Sequence, residues 1–405
     1  MIRFLIVADD FTGANDTGVQ LKKKGIKTYA IYDSKSMKDD DKSYVLDTES
    51  RGLTSEDSYN KLRSNLSSIK DRRFDFIYKK VDSTLRGNIA SEIKAASEIF
   101  GSEAIIFAPA YPENKRKVID GELLVNGIRV SDTEIAEDPK TPVHESNIKK
   151  LLQAGLKKEI VHYNLDEIRK ENISIMNGGI YTFDTEIEED FQYIIKAANE
   201  SGMKILWCGS AGFANSIINY TLPSKPVLGI IGSVSDVTRE QVKFALAKGC
   251  SLVKLDMASV LENNDVSSYI DDAVKYIEDG RDTLVVSALK REDYDLTVEK
   301  GKGIGLLPED VSKFTQSILG KITLEVLKSI KISGLFLTGG DTAIGVMKSL
   351  QANSAEILFE LMPGIPLIRI NGGMCENLKA VTKAGAFGNS DALYYSIRKL
   401  KEDII

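Results

Sequence analysis

Short, wholly apolar runs alternate along the chain with stretches whose apolar residues recur at helical spacing. A continuous apolar run such as Phe4-Leu5-Ile6-Val7-Ala8 is the signature of a strand buried on both faces. Strands of this kind alternating with amphipathic helices predict parallel sheets with helices packed on their faces. In the first half the pattern predicts strands at 2–8, 27–32, 44–47, 74–79, 104–108, 179–183 and 204–207, with helices between them, among them 14–24, 55–69 and 88–100. Gly25 and Gly101 stand where the first and third of these helices should stop, as C-terminal caps do. Pro223 and Pro226 interrupt the chain at 221–226, ending a helix and barring a central strand. A second alternation follows, with strands at 227–232, 252–255, 283–287, 334–338 and 367–370 and a last helix at 391–400. The fold class is therefore α/β: two doubly wound, mainly parallel-sheet domains, residues 1–222 and 223–405, with a ligand cleft between them.

Composition narrows the chemistry. The 405 residues are 42% hydrophobic and 28% charged, enough to build large cores. The net charge of -6 argues against a nucleic-acid partner, which would call for a concentrated basic face. No basic leader precedes a long apolar stretch, and no apolar run approaches the roughly eighteen residues of a membrane span, so a cytoplasmic protein without membrane contacts is expected. Residues 38–42 read as a solvated acidic turn. Cys208, Cys250 and Cys375 are odd in number and far apart, which indicates neither a disulfide framework nor a thiolate metal cluster. With only His144 and His162 present, catalysis falls to carboxylates, lysines, hydroxyls and backbone amides.

Three strand ends of the first half carry such groups. After the first strand come Asp9-Asp10-Phe11-Thr12-Gly13-Ala14-Asn15-Asp16. One of the two acids suffices to cap the following helix, and the second, held beside a like charge, calls for a cation or a substrate hydroxyl. Whether Asp9 caps and Asp10 works, or the reverse, is open at this level. The segment Lys80-Val81-Asp82-Ser83-Thr84-Leu85-Arg86-Gly87-Asn88 again joins a strand to a helix. Lys80 and Arg86 suit a carboxylate or phosphate, with Ser83 and Thr84 donating around it, the favoured reading over a merely local Asp82–Arg86 pair. Asn114, Lys115 and Arg116 follow Pro109 and Pro112 in a rigid loop that can wall a polar pocket.

In the second half, Gly334-Leu335-Phe336-Leu337-Thr338 turns through Gly339-Gly340 into Asp341-Thr342-Ala343. Paired glycines admit a phosphate close to the backbone, the helix N-terminus favours it, and Thr342 can donate. Asp341 is either the helix cap or a partner of magnesium or ribose. Gly232-Ser233-Val234-Ser235 and Lys383-Ala384-Gly385-Ala386-Phe387-Gly388 share this design, and together the three suggest a nucleotide cleft. Neither the P-loop pattern nor GxGxxG occurs. Gly301-Lys302-Gly303-Ile304-Gly305 follows a charged run and reads as a mobile loop.

Taken together, Asp9 to Asp16, Lys80 to Asn88, Ala108 to Arg116, Gly339 to Ala343, Met362 to Pro366 and Lys383 to Gly388 resemble the motifs of the four-carbon acid sugar kinases over nearly the whole length. A departure is Asn114-Lys115-Arg116, where relatives often carry glycine before the arginine. The resemblance implies a kinase that transfers phosphate from ATP to the terminal hydroxyl of threonate, erythronate or 3-oxo-tetronate, with Mg2+ expected. It places the sugar acid in the first domain and ATP in the second, and leaves a homodimer open. By this resemblance the ATP contacts are Ser233 or Ser235, the run Gly339, Gly340, Asp341 and Thr342, and Gly385. Phosphoryl transfer needs a carboxylate at the acceptor hydroxyl, which makes Asp10 or Asp82 the catalytic candidate. Asp9, Lys80, Ser83, Thr84, Arg86, Asn114 and Arg116 are then the substrate-binding set, with no protein metal cluster. The two domains should close to exclude water. A phosphatase of the haloacid dehalogenase type is the rival enzyme, though its alternating Asp-x-Asp is not the adjacent pair here, and a sugar-acid or nucleotide sensor is the non-enzymatic one.

Overall fold

The computed structural model describes residues 2–38, 40–176 and 178–403, so Asp39 of the expected acidic turn lies outside them. The chain forms two units, the first ending at Pro223 and the second spanning Ser224–Asp403.

The main sheet of the first unit contains β1 (Phe4–Ala8), β2 (Thr28–Ile31), β3 (Ser43–Asp47), β4 (Phe76–Lys80) and β5 (Ala104–Ala108). A small second sheet is made of β6 (Arg116–Ile119), β7 (Glu122–Val125) and β8 (Ile128–Arg129). The main sheet is completed by β9 (Ile160–Tyr163), β10 (Ile180–Phe183) and β11 (Ile205–Gly209), in the order β2-β3-β1-β4-β11-β5-β10-β9. Every pairing in it is parallel. All five residues of β1, β3 and β5 are buried, as strands covered on both faces must be. The chain leaves β1 toward β3 on one side and returns to β4 on the other, so the order reverses at β1, where open sheets form their ligand crevice.

The strands β6 to β8 and β9 were absent from the sequence pattern. Asp120-Gly121 and Asn126-Gly127 join β6 to β7 and β7 to β8 with positive φ at both residues of each pair. These are tight hairpin turns of the kind such dipeptides favour, and they needed no long apolar run beside them. Arg116 is consequently the first residue of a strand rather than part of a free loop.

The second unit contains β12 (Val227–Ile231), β13 (Ser251–Lys254), β14 (Thr283–Val286), β15 (Gly334–Thr338), β16 (Ser354–Met362), β17 (Ile365–Asn371) and β18 (Lys379–Lys383), in the order β13-β14-β12-β15-β18-β17-β16. The pairs from β13 to β18 through β12 and β15 are parallel, while β17 and β16 continue the sheet antiparallel. Alternate residues of β12 and β15 feed two apolar clusters, Leu228, Ile230, Leu335 and Leu337 on one face and Val227, Ile231 and Phe336 on the other. Gly301-Lys302-Gly303 is not a loop: it closes the helix Arg291–Gly303, where Gly301 is buried against Val311.

Candidate active site

At the carboxyl edge of β1, Asp10 is extended and accepts a hydrogen bond at Oδ1 from Gly13 N (3.1 Å), capping the helix Phe11–Lys23. Asp10 is thus the cap, and Asp9 is the brace. Gly13 is glycine for a local reason, since a Cβ there would meet Asp10 Oδ1 at 2.6 Å and Lys80 Nζ at 3.0 Å. Asp9, only 3% exposed, is gripped by Arg51 through Nε to Oδ2 (2.7 Å) and Nη2 to Oδ1 (3.0 Å). The same guanidinium reaches Asp10 Oδ1 (2.7 Å) and Asp82 Oδ2 (3.3 Å). One planar cation therefore ties together the ends of β1 and β4, a forked geometry that lysine does not offer.

Electrostatics follow from this arrangement. Burial would push the Asp9 carboxyl up, but the Lys79 ammonium and Arg51 overcome it and hold it below the usual carboxylate range. Burial also opposes ionisation of Asp82, yet Arg86, Arg51 and Thr84 bring it down to about 2. The Thr84 hydroxyl and its backbone N–H both donate to Asp82 Oδ1. Arg86 pairs with Asp82 (2.9 Å) and with Asp138 (3.3 Å), the local pairing that the spacing allowed. Lys80 is lowered by burial, with Asp9, Asp82 and Asp10 drawing it back up.

A cavity of about 340 Å³ opens above these groups, lined among others by Asp10, Asp16, Arg51, Lys80, Asp82, Ser83, Arg86, Asn114 and Arg116. It brings together residues from all three segments singled out in the first half. Asp9 and Thr84 do not reach its wall, because Asp9 lies behind Arg51 and Thr84 is spent on Asp82. Two cations remain uncommitted: among the described residues neither Lys80 nor Arg116 has a carboxylate within 4.0 Å. Lys80 Nζ donates to Val81 O (2.9 Å), Arg116 Nη1 to Asn114 O, and Arg116 Nε is buried without a partner. Only Oδ1 of Asp10 is engaged among the described residues, which leaves Oδ2 for a ligand.

Thr12, Gly13, Asp16 and Tyr111, which lie within those segments but were not named as binding residues, also line this cavity, and Arg51 and Ala211 line it from outside them. Arg51 had a usable signal, because it follows β3, and the strand-end argument applied there would have pointed to it.

The second unit has its own crevice, where β12 lies between β14 and β15. Gly232 packs against the Thr342 hydroxyl where a Cβ would stand, and Gly339, at φ 98°, turns the chain into the helix Gly340–Ser349. The cap position belongs to Gly339, so Asp341 sits in the first turn and faces the cavity instead of capping. Ser235 caps the helix Asp236–Ala247 and donates to Gly385 O (2.7 Å), which also accepts from Thr238 Oγ1 (2.9 Å). Ser233 Oγ fills the space a Cβ on Gly385 would take. Ser233, Ser235 and Gly385 thus form one cluster, and Gly339 to Thr342 abut Gly232 beside it. A cavity of about 130 Å³ adjoins, lined by Gly232, Met257, Tyr294, Val311, Asp341 and Thr342 among others. Among the described residues no group of three or more His, Cys, Asp or Glu could hold a metal ion. A single carboxylate, Asp341, fits magnesium that is carried mainly by phosphate oxygens and water. No helix among the described residues is long and apolar enough to cross a membrane.

Residues 4–217 match the model of a sugar-binding N-terminal domain and residues 228–393 that of a nucleotide-binding C-terminal domain. The chain is 33% identical to a D-threonate kinase of Salmonella typhimurium, over 97% of this chain and 98% of that one. It is 26% identical to a D-erythronate kinase of Heliobacterium modesticaldum (97% and 95% covered) and 25% identical to a 3-oxo-tetronate kinase of Brucella melitensis (98% and 96%). A crystal structure from Bordetella bronchiseptica, described as a domain of unknown function with bound citrate and a domain-swapped dimer, superposes with a TM-score of 0.70. It is 26% identical to this chain, with 98% of each chain covered. With both domains matched and relatives along the whole length that are kinases, the chain is a kinase. The chain belongs to the four-carbon acid sugar kinase family.

Proposed function

We propose that the enzyme transfers the terminal phosphoryl group of ATP to the C4 hydroxyl of threonate, erythronate or 3-oxo-tetronate, as a step of carbohydrate catabolism. The observation that carries this reading is the pairing, in one cavity, of an open carboxylate oxygen on Asp10 with the uncommitted cations Lys80 and Arg116. A sugar acid offers a carboxylate for the two cations at one end and a hydroxyl for Asp10 at the other. Asp10 orients that hydroxyl and accepts its proton as the oxygen bonds to phosphorus. Asp82 is the poorer base. Its carboxyl sits at about 2 and is held by Arg86, Arg51 and Thr84, so its part is to fix Arg51 and Arg86. Ser83 and Asn114 complete the polar wall.

In the second unit, Ser233, Ser235, Gly385 and the turn Gly339 to Thr342 would hold the ATP phosphates, and the cavity beside Met257, Tyr294 and Val311 would take the base. ATP, when bound, would supply the phosphoryl group, and Asp341 is the residue that would hold a Mg2+ ion, whose charge would offset that of the phosphate oxygens. An ADP-release assay with Mg-ATP across the four-carbon acids, 3-oxo forms included, tests this. Turnover is expected on at least one of them. Calorimetric binding of these acids with no ADP release on any would make the protein a sensor instead.

A further inference from the structure

The end of β18 holds a buried cation with no anion beside it. Lys383 is 3% exposed. Its ammonium donates to the carbonyls of Ala384 (2.9 Å), Gly385 (3.0 Å) and Phe387 (3.2 Å), with Thr238 Oγ1 at 3.4 Å. Among the described residues no carboxylate lies within 4.0 Å of it. The packed elements do not supply one. On the helix Asp236–Ala247 it meets Thr238, while Asp236 pairs with Arg239 and Glu240 with Lys243. Its register neighbour on β15 is Thr338, and on β17 Arg369 is paired with Glu356. Asp341 lines the nearby cavity, and Asp391 stands at the start of the helix Ala392–Leu400, both beyond ion-pair distance.

Carbonyl dipoles solvate an ammonium but leave its charge uncancelled, an arrangement that disfavours the charged form in a buried site. Burial alone accordingly lowers Lys383 to about 8, with no acid drawing it back. The location gives this a use. Gly385 O, one of its three carbonyl acceptors, also receives Ser235 and Thr238, and Gly385 makes room for Ser233.

We propose that Lys383 is a positioning residue of the nucleotide site: it shapes the 384–388 loop through three carbonyls, and the polyphosphate supplies its missing counter-charge, so nucleotide binding is coupled to Lys383 protonation. This rests on the nucleotide reading of the second unit. The direction is fixed by linkage. Without nucleotide, Lys383 loses its proton as pH rises through about 8. An adjacent anion favours the charged form, so binding above pH 8 takes up a proton. Affinity then falls by up to about tenfold per pH unit above 8, until the bound-state value is passed.

Isothermal titration of the full chain with Mg-ADP, in buffers of different ionisation enthalpy, reads the coupling directly. Wild type is expected to take up close to one proton per ADP near pH 9 and little near pH 7. Lys383→Met should bind more weakly at pH 7 and take up none, while Lys383→Arg, charged throughout, should bind with nearly pH-independent affinity. Wild-type binding at pH 9 without proton uptake overturns the proposal and needs no variant to fold. Equal uptake by folded Lys383→Met overturns it as well. A folded wild type that binds no Mg-ADP at any pH removes the nucleotide reading itself, and the proposal with it.

Discussion

Replacing Arg51 with methionine keeps an unbranched apolar stem but leaves Asp9, Asp10 and Asp82 without their shared cation. Asp10 retains the Gly13 N–H, and Asp82 retains Arg86 and Thr84. Asp9, 3% exposed, loses both guanidinium hydrogen bonds and keeps the Lys79 and Lys80 charges, neither within ion-pair distance. At an effective dielectric near 20, one unit pair about 4 Å apart is worth about 4 kcal/mol. Removing one member of a buried pair costs about 3–5 kcal/mol, because the other is stranded, and the first unit should lose about that much at pH 7. The pH dependence gives a sharper test. In wild type the Asp9 value is depressed, so its stabilisation is present above the unfolded value of about 3.8 and is lost as pH falls through the folded value. Without Arg51, burial dominates and lifts the folded value above the unfolded one. The penalty is then absent at low pH and grows as pH rises through the new folded value, so the gap between wild type and variant narrows from pH 7 to pH 4. Urea unfolding followed by Trp207 fluorescence measures this, since Trp207 is the single tryptophan and is buried in β11 of the first unit. A loss below about 1 kcal/mol at pH 7, or an equal loss at pH 7 and pH 4, would refute the reasoning.

Arg116→Ala should raise KM for the sugar acid about 10- to 100-fold with little change in stability, as loss of a charged hydrogen bond to substrate implies, whereas Arg86→Ala should lower stability by removing one of the two cations on Asp82 and the one paired with Asp138; steady-state kinetics beside thermal melts separate the two. Asp10→Asn should cut kcat about 10²- to 10⁴-fold, and Asp82→Asn should cost more in folding than in turnover at saturating substrate; the opposite ranking would exchange their roles. Gly385→Ala drives a methyl group into Ser233 Oγ and should weaken Mg-ADP in calorimetry while leaving KM for the acid near wild type.

The buried strands were legible because a strand covered on both faces leaves an unbroken apolar run, and β1, β5 and β15 are such runs. The hairpin strands β6 and β7, which bury only single or alternate residues, and the exposed β8 leave no such run, and their signal lies in Asp120-Gly121 and Asn126-Gly127 instead. Strand β16, exposed along most of its length, is hidden for the same reason. Within the cavity of the first unit, Asp10, Lys80, Asp82 and Arg86 announce themselves as charges at strand ends. What sequence leaves open is how charges pair: Arg86 turns to Asp82 and Asp138, and Arg51, forty-odd residues from Asp9, becomes their common clamp. Pairings at such separation depend on which strands are neighbours, and β3 beside β1 is a fact of topology.

The central claim is that the first unit presents a sugar acid's terminal hydroxyl to Asp10 for phosphorylation. Phosphorus NMR of the wild-type reaction with Mg-ATP and the four-carbon acid that supports turnover tests it most directly. The account predicts one new phosphate monoester on the C4 oxygen, formed in step with ADP and nearly abolished by Asp10→Asn. Ester on another oxygen, ADP released at the same rate without the acid, or undiminished product from Asp10→Asn would contradict it.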